Sequence, residues 1–445
     1  MSKRNIKKIQ DNDRTYNFLY HYVSFVLKQS YRSIIQVGRE NIPTDGAIIF
    51  APNHTNTLMD ALVVLTMDNK PKVFVARADI FKNRKLAKIL TFLKIMPIMR
   101  QRDGFQAVKK NQETIDKAVD VLKDKIPFCI FPEGTHLAKF SSLPLSKGIF
   151  KIAFQAHEQM PQVPLYIVPV GIRYGNHFRF RSTIRMEFGK PINVGAYLSD
   201  NSSLTPQEQM NGMKDLLTER LHATLFRIPN DEDYDATYEI CNAVEQIEVE
   251  RLLKEKENRK KHSLEVQFQA NNKTLKRIEE LKESKPEQAQ KLLELGDKAH
   301  RLRKKKGISV ESASVKKPLT SRMPRTLLTL ITLPYTIPAS VLASPVALIC
   351  KYIFTMLKDP AFKNSVRYVM ILVIWPLLVM IYAIIACCLL SWQWALFAIL
   401  LTMPAPYVAH ELWKSIRLVV SDIRLMREKK LRKIYSQIRE IVVGK

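Results

Sequence analysis

Hydrophobic positions in the first half of the chain form short apolar runs that alternate with amphipathic stretches. Runs rich in β-branched and aromatic residues predict five strands, at 47–51, 72–76, 127–131, 164–170 and 183–188. Stretches with helical periodicity follow them and predict helices at 58–65, 80–93, 105–125 and 147–157. This alternation is typical of an α/β domain with a parallel or mixed sheet flanked by helices, which we place at residues 34–230.

A short amphipathic segment precedes this domain. Between Tyr16 and Lys28, polar residues recur at spacings of three and four, at Asn17, His21 and Ser24. Such spacing places them on one face of a helix. The segment is too short to span a bilayer. Over residues 1–33 we therefore predict a helix that either lies in a membrane interface or packs on the next domain.

The region after the α/β domain, residues 231–317, is strongly charged. Residues 231–306 favour helices interrupted at Pro286, and residues 307–317 have the composition of a flexible linker. Two interpretations remain open for this charged helical arm. It is either a solvated arm or a basic surface that holds the protein against anionic lipid.

Long apolar runs define a C-terminal membrane region at residues 318–445. Residues 368–390 are apolar throughout and long enough for a transmembrane helix. A short turn leads to a thinner run at 394–409, and together these two runs predict a transmembrane helical hairpin. Basic residues at both of its ends place them on the cytoplasmic side: Lys363, Arg367, Lys414 and Arg417.

Two other segments of this region have weaker signals. The run at 327–349 contains Pro334, Pro338 and Pro345, which favours a re-entrant or interfacial segment over a span. The tail at 412–443 mixes apolar and basic residues as an amphipathic helix on a membrane surface does. A cytoplasmic tail without lipid contact is the alternative for this last segment.

The net charge of the chain indicates a negatively charged partner. The chain has 70 lysines and arginines against 42 acidic residues, a net charge of +28. The basic clusters flank apolar segments, and there is no zinc-finger spacing or aromatic RNA-binding signature. We therefore expect anionic lipid as the partner, and no nucleic acid. The five cysteines indicate neither a disulfide framework nor a metal site.

The candidate chemistry lies where the first predicted strand ends. His54 follows this strand directly, and Asp60 comes six positions later, before a helical run. A histidine with a carboxylate partner is a general base: imidazole has the right basicity near neutral pH, and the carboxylate fixes its tautomer. Such a base suits an alcohol that loses its proton as it attacks a thioester. A histidine that caps a helix or is buried in a loop is the commoner alternative for an isolated pair.

Three downstream blocks add to this pair. They are IMPIMRQRDG at 95–104, FPEGT at 131–135 followed by LSKG at 145–148, and VPLYIVPVG at 163–171. In this order, the four blocks resemble the phospholipid/glycerol acyltransferase family, which includes lysophosphatidic acid and glycerol-3-phosphate acyltransferases. The resemblance covers roughly residues 34–198. The Asn-His and Phe-Pro-Glu-Gly-Thr blocks are its most specific parts.

The resemblance implies a role for each matching residue. His54 would be the catalytic base and Asp60 its partner, and the strand at Pro169 would shape the site. The residues that would hold the glycerol phosphate are Arg100, Glu133, Gly134 and Thr135. Arg100 offers a planar charged fork suited to phosphate, and we expect Glu133 to orient Arg100 or a substrate hydroxyl. Lys147 either adds charge near the phosphate or forms a surface salt bridge.

Two departures from the family pattern stand out. The family has four residues between histidine and aspartate, whereas this chain has five, Thr55 to Met59. A separation of six corresponds to a rotation of about 240° on a helix, so His54 must lie in the turn before the helix. Asn53, Thr55 or Asn56 would cap this turn.

The second departure is His136, where the family commonly has arginine. The lost charge would be supplied by Arg102 or Lys139. A zinc site built from His54, Asp60 and His136 has no ligand spacing to support it. We expect no metal and no cofactor.

These features predict transfer of an acyl group from an acyl thioester, either acyl-CoA or acyl carrier protein, to 1-acylglycerol 3-phosphate, giving phosphatidic acid. Direct transfer is expected, because the thioester is already activated and there is no nucleophile elbow. The alternatives are a glycerol-3-phosphate acyltransferase, a phospholipid transacylase and a non-catalytic membrane scaffold with this fold. The α/β domain would act on the cytoplasmic face of a bacterial inner membrane or the endoplasmic reticulum. The sequence does not predict the oligomeric state.

Overall fold

The computed structural model describes residues 8–99, 111–255, 263–314 and 318–444. The chain divides into two units. The first consists of Met1–Leu225 together with Leu357–Tyr368, and the second of Phe226–Met356 together with Val369–Lys445. A short segment from the C-terminal half of the sequence therefore belongs to the first unit.

An eight-stranded mixed sheet forms the centre of the first unit. Its order is β1-β7-β6-β2-β5-β3-β4, and β8 pairs with β6. Strands β6, β2, β5, β3 and β4 are mutually parallel, whereas β7 and β8 run antiparallel to β6. The strand bounds are Ser33–Val37, Ala47–Pro52, Val73–Arg77, Ile95–Ile98, Phe128–Cys129, Leu165–Tyr174, Thr183–Phe188 and Ile192–Asn193 for β1 to β8.

Helices flank this sheet, which confirms the predicted α/β class. Their bounds, α1 to α7, are Arg14–Ser30, Leu58–Leu65, Arg84–Phe92, Asn111–Lys123, Gly148–Gln159, Val194–Asp200 and Pro206–Ala223. Helices α4, α5 and α7 bury their apolar faces against the sheet in one core cluster that includes Leu122, Ile152 and Leu217. This burial is what holds the strand ends, and the loops that follow them, in fixed positions.

The predicted elements of this unit are largely present. Helix α2 and strand β7 have the predicted bounds, and β2 and β3 differ from theirs by one residue. Strand β5 is shorter than predicted, at Phe128–Cys129. The predicted helix at 80–93 begins only at Arg84, where the Asn83 side chain accepts hydrogen bonds from the backbone N–H groups of Lys85 and Leu86. The part of the helix predicted at 105–110 lies outside the described residues.

Helices α8 to α13 and α15 to α18 build the second unit. Helix α14 lies almost entirely in the segment of the first unit that separates the two parts of the second. The bounds of α8 to α18 are Tyr234–Glu255, Ser263–Ser284, Pro286–Lys305, Val310–Ala313, Pro318–Ile331, Leu333–Met356, Phe362–Val369, Trp375–Leu389, Trp392–Thr402, Ala405–Arg427 and Lys429–Val443. A π-helical turn at Met370–Ile374 joins α14 to α15.

The described parts of the charged region, residues 231–255 and 263–314, form a packed helical bundle, so the interpretation as a solvated arm is wrong. Helices α8, α9 and α10 pack on each other, and α18 packs on α8 and α10. A buried ionic cluster lies among them: the Arg303 guanidinium donates to the Glu239 carboxylate at 2.8 Å, and the Tyr435 hydroxyl donates to it at 2.6 Å. Paired in this way, charged residues can be buried, and composition alone does not reveal the pairing.

Two neighbouring predictions are corrected in the same way. Part of the predicted linker is ordered, because α11 buries Ser312 and Ala313 and the Ser421 hydroxyl accepts from the Ser309 backbone N–H at 2.8 Å. Residues 315–317 lie outside the described residues. The predicted surface helix at 412–443 is two helices, α17 and α18, and α18 buries its apolar face, which includes Leu431 and Ile438, within the bundle.

Two helices of the described residues are long and apolar enough to cross a membrane. They are Leu333–Met356, with a mean hydropathy of 1.7, and Phe362–Leu389, with a mean hydropathy of 2.8. The pair Trp392–Thr402 and Ala405–Arg427 qualifies only as one span that bends by 50°. The segment at 327–349 was predicted to be re-entrant or interfacial, but most of it lies in the continuous α13, which has the length and hydropathy of a span and contains Pro338 and Pro345. A break in the helix lies before α13, at Thr332. These helices indicate membrane association.

Candidate active site

The turn between β2 and α2 brings the two predicted catalytic residues together. The Nδ1 atom of His54 lies 2.8 Å from Oδ2 of Asp60. Asp60 is fully buried, whereas the His54 side chain is 19% exposed. The extra residue between them is therefore absorbed by the turn, as the sequence predicts, and the pair keeps hydrogen-bonding geometry.

Backbone and side-chain donors surround the buried Asp60 carboxylate. The backbone N–H groups of Thr55 and Asn56 donate to Oδ2 at 2.8 and 2.7 Å, and the Tyr174 hydroxyl donates to Oδ1 at 2.8 Å. Burial and the nearby Asp60 raise the pKa of Tyr174 well above its usual value, so Tyr174 stays a donor. With the contact to His54, four hydrogen bonds satisfy the carboxylate in this buried position.

The geometry of this turn depends on two other features. Thr57, the residue before α2, has φ of +48°, a left-handed conformation that is uncommon for a β-branched residue. Asn53 ties the turn to β6: its side-chain amide donates to the Ile172 carbonyl at 3.1 Å and accepts from the Ile172 N–H at 2.7 Å. Asn53 therefore acts as a tether between strands, whereas Thr55 and Asn56 bind the carboxylate through their backbone.

Glu133 lies behind His54. Its carboxylate accepts from the His54 backbone N–H at 3.2 Å, and the Leu137 N–H donates to the His54 carbonyl at 3.0 Å. Burial raises the pKa of Glu133 to about 8, although hydrogen bonds from the backbone of His54 and Leu143 oppose this shift. In the described residues, Glu133 therefore positions the backbone of His54.

This raised pKa leads to a stability prediction for Glu133→Gln. A carboxyl whose pKa is higher in the folded chain binds its proton more tightly there, so the free energy of unfolding falls as pH rises from about 4.5 to about 8. Glutamine keeps the carbonyl acceptor and removes the titration. We expect similar melting temperatures for variant and wild type near pH 5, and a variant more stable by about 5 °C near pH 8.5.

The measurement is the melting temperature of the first unit, taken from thermal unfolding at both pH values. The exposed Glu219, on α7, provides the matched control variant Glu219→Gln. A gap between Glu133→Gln and wild type that is the same at both pH values would contradict the prediction.

The other predicted ligand-binding residues take different places. Gly134 and Thr135 are exposed beside this turn, and Gly134 has φ of +65°, which glycine adopts without strain. Lys147 precedes α5, next to Ser146, whose N–H donates to the Pro132 carbonyl at 2.7 Å. The FPEGT and LSKG blocks are thus adjacent in space. The role of each of these residues in binding stays a prediction.

One predicted residue, Pro169, does not line the turn. Pro169 is buried within β6, paired with Ala51 of β2, and so lies inside the sheet. Its neighbour Val170 accepts from the Asn53 N–H at 3.2 Å, which makes the contribution of this strand indirect. Arg100 and Arg102 lie outside the described residues.

His136 has a partner that the sequence did not predict. Its Nε2 atom lies 2.7 Å from Oδ2 of Asp359, and its ring meets the His54 ring edge to face with centroids 5.6 Å apart. A contact across 223 positions has no sequence signal. Tyr174 was missed for a similar reason, since its hydroxyl reaches Asp60 from a different strand.

The chemical capacity of this site follows from the tautomer of His54. The Asp60 carboxylate accepts a hydrogen bond from Nδ1–H of His54, which leaves Nε2 as the basic atom of the neutral ring. The His54 ring also stacks on Phe131 with centroids 4.3 Å apart, which limits its rotation. The site therefore holds an oriented general base with a buried, hydrogen-bonded carboxylate behind it.

Comparison with known proteins agrees with this arrangement. A family model described as Acyltransferase matches residues 33–173. The Saccharomyces cerevisiae protein "Glycerol-3-phosphate O-acyltransferase 2" is 28% identical over 144 residues, covering 32% of this chain and 19% of the yeast protein. The Mycoplasma pneumoniae protein "Probable 1-acyl-sn-glycerol-3-phosphate acyltransferase" is 24% identical over 176 residues, covering 38% of this chain and 62% of its own length.

A solved structure is also similar to part of the chain. It is the crystal structure of the 1-acyl-sn-glycerophosphate acyltransferase from Thermotoga maritima, with 19% identity, a TM-score of 0.35, and coverage of 48% of this chain and 82% of that one. The chain spans less than two thirds of the length of the curated relatives described above. The matched segment contains His54, Asp60 and Glu133. Over residues 33–173, this chain is therefore similar to acyltransferases.

Proposed function

We propose that this protein is an O-acyltransferase of phospholipid biosynthesis. It would move an acyl group from a thioester to a hydroxyl of a glycerol-phosphate acceptor, with 1-acylglycerol 3-phosphate as the first candidate and glycerol 3-phosphate as the second. The observation that carries this proposal is the 2.8 Å contact between His54 and the buried Asp60. The names of the relatives support the acceptor class.

In this proposal, His54 Nε2 takes the proton of the acceptor hydroxyl as its oxygen attacks the thioester carbonyl. The C–O bond forms, the C–S bond breaks, and the imidazolium returns the proton to the leaving thiolate. Asp60 stabilises the imidazolium in between. The donor would be acyl-CoA or an acyl carrier protein thioester, and no further cofactor is needed.

The place of the reaction is proposed to be the cytoplasmic face of a membrane. Apolar helices at Leu333–Met356 and Phe362–Leu389 support membrane association. The net charge of +28 favours a surface of anionic lipid, where a lipid acceptor and its product are both found. Basic residues beside the apolar runs support the cytoplasmic side.

The test is an acceptor panel with the full chain in membranes. Labelled acyl-CoA is supplied with 1-acylglycerol 3-phosphate, with glycerol 3-phosphate, or with a lysophospholipid that carries a larger headgroup. We expect transfer at least about tenfold faster to one of the two phosphate monoesters than to the lysophospholipid.

Each alternative has its own outcome in this panel. Transfer from an unlabelled diacyl phospholipid without added thioester would indicate a transacylase. No transfer from acyl-CoA or from acyl carrier protein to any acceptor would overturn the proposal in favour of a membrane scaffold.

A further inference from the structure

A segment outside the matched domain packs against the candidate active site. Residues Leu357–Tyr368 belong to the first unit, although they follow α13 in sequence and run into the apolar helix Phe362–Leu389. We call Leu357–Tyr368 the strap. It lies beyond the family match, which ends at residue 173.

The strap binds the turn that carries the catalytic pair. Its Ser365 hydroxyl lies 2.8 Å from the hydroxyl of Thr57, the residue with positive φ before α2. Its Asn364 amide donates to the His177 carbonyl at 2.5 Å, and the Asn56 amide donates to the same carbonyl at 3.0 Å. Ser365 and Asn364 are both buried. The strap is thus a fixed part of this turn's surroundings.

The other end of the strap reaches His136. Asp359 Oδ2 lies 2.7 Å from His136 Nε2, and its Oδ1 accepts from the Ala361 N–H at 2.8 Å, which fixes the carboxylate. The Phe362 ring meets the His136 ring edge to face at 5.5 Å. His136 therefore lies between the strap on one side and the His54 ring, at 5.6 Å, on the other.

This arrangement has a chemical consequence for an acceptor that carries phosphate. With Nε2 bound to the Asp359 carboxylate, Nδ1 is the nitrogen of His136 that remains for a ligand. Asp359 is 44% exposed, so water screens its negative charge. The rings of His54 and His136 are close enough for one glycerol phosphate to reach both.

We propose that the strap forms one wall of the acceptor site, in which Asp359 positions His136 and His136 binds the acceptor's phosphate. This inference rests on the proposed function, since it assumes a phosphate monoester as the acceptor. Asp359 is a positioning residue that acts through His136. In this arrangement, His136 and the Asp359 carboxylate, which comes from a distant part of the chain, take the place of one permanently charged arginine.

The test compares Asp359→Asn with wild type in full-chain preparations. Asparagine keeps the shape and removes the carboxylate charge. We expect KM for the phosphate acceptor to rise about tenfold, with kcat and the KM for the thioester changed less than about threefold. Asp200→Asn, at the exposed end of α6, is the matched control. Unchanged KM in Asp359→Asn, or a fall confined to kcat, would overturn the proposal.

A second variant separates phosphate binding from a structural effect. In the double variant His136→Arg with Asp359→Asn, a permanently charged guanidinium needs no carboxylate partner. We expect it to recover most of the lost KM. Failure to recover, in a variant that melts at the wild-type temperature, would overturn the contact between His136 and phosphate.

A binding measurement keeps this test independent of turnover. Glycerol 3-phosphate is titrated into the purified full chain in detergent, and we expect Asp359→Asn to weaken Kd about tenfold. A wild type that binds glycerol 3-phosphate more tightly than Asp359→Asn does, but transfers no acyl group, would overturn the proposed function alone. Equal Kd values for variant and wild type would overturn the role of the strap alone.

Discussion

His54→Ala is expected to lower the rate of acyl transfer by about 10²–10⁴-fold. His54 Nε2 is the atom that would take the hydroxyl proton, and Asp60, the carboxylate bound to Nδ1, is fully buried and engaged at both oxygens. Water in place of the imidazole is a much weaker base. The loss should appear in kcat, while KM for the acceptor changes little, because the base acts on the proton and not on the phosphate.

The measurement is initial-rate kinetics with the better acceptor of the panel, in membranes that carry equal amounts of each variant. The control is His21→Ala, because His21 is an exposed histidine on α1. A His54→Ala variant that retains more than about a tenth of wild-type kcat would contradict the assignment of the base.

The sequence predicted the α/β domain well because its signals are local. Alternation of apolar runs identified β2, β3, β6 and β7, and the family blocks identified the turn that holds His54 and Asp60. Each of these features depends on residues within a few positions of one another. Strands β1 and β4 were missed, since SIIQV and IMPI are short and are only partly buried.

What the sequence did not predict depends on pairing between distant residues. The charged helices at 234–305 have the composition of a solvated arm, yet Arg303 and Glu239 form an ion pair inside a bundle, and the Tyr435 hydroxyl donates to the same carboxylate. The same limit applies to the site itself, where Asp359 reaches His136 across 223 positions. Hydrophobic periodicity describes one element at a time and contains no information on such partners.

Asp60→Asn is expected to lower kcat by about 10²–10⁴-fold while the chain still folds. The amide oxygen can replace Oδ2 and accept from His54 and from the backbone N–H groups of Thr55 and Asn56. The amide nitrogen then faces the Tyr174 hydroxyl, which can turn to accept. His54 keeps its orientation in this arrangement, but no charge remains to stabilise the imidazolium.

The expected stability change separates this effect from a collapsed turn. Charge-assisted hydrogen bonds become neutral ones, and we expect a loss of about 1–3 kcal/mol in the free energy of unfolding. If the amide instead points its nitrogen at the two backbone N–H groups, these buried donors lose their acceptor, and the loss exceeds that range. The exposed Asp215 provides the control variant Asp215→Asn.

Asp60→Asn therefore requires kcat and thermal unfolding to be measured on the same preparations. A large fall in kcat with a small fall in melting temperature indicates that the Asp60 charge contributes to the reaction itself. Retention of wild-type kcat would contradict the prediction, because a neutral amide would then serve His54 as well as the carboxylate does. It would also mean that the charge of Asp60 contributes nothing to the reaction, although burying a carboxylate under four hydrogen bonds carries a large desolvation cost.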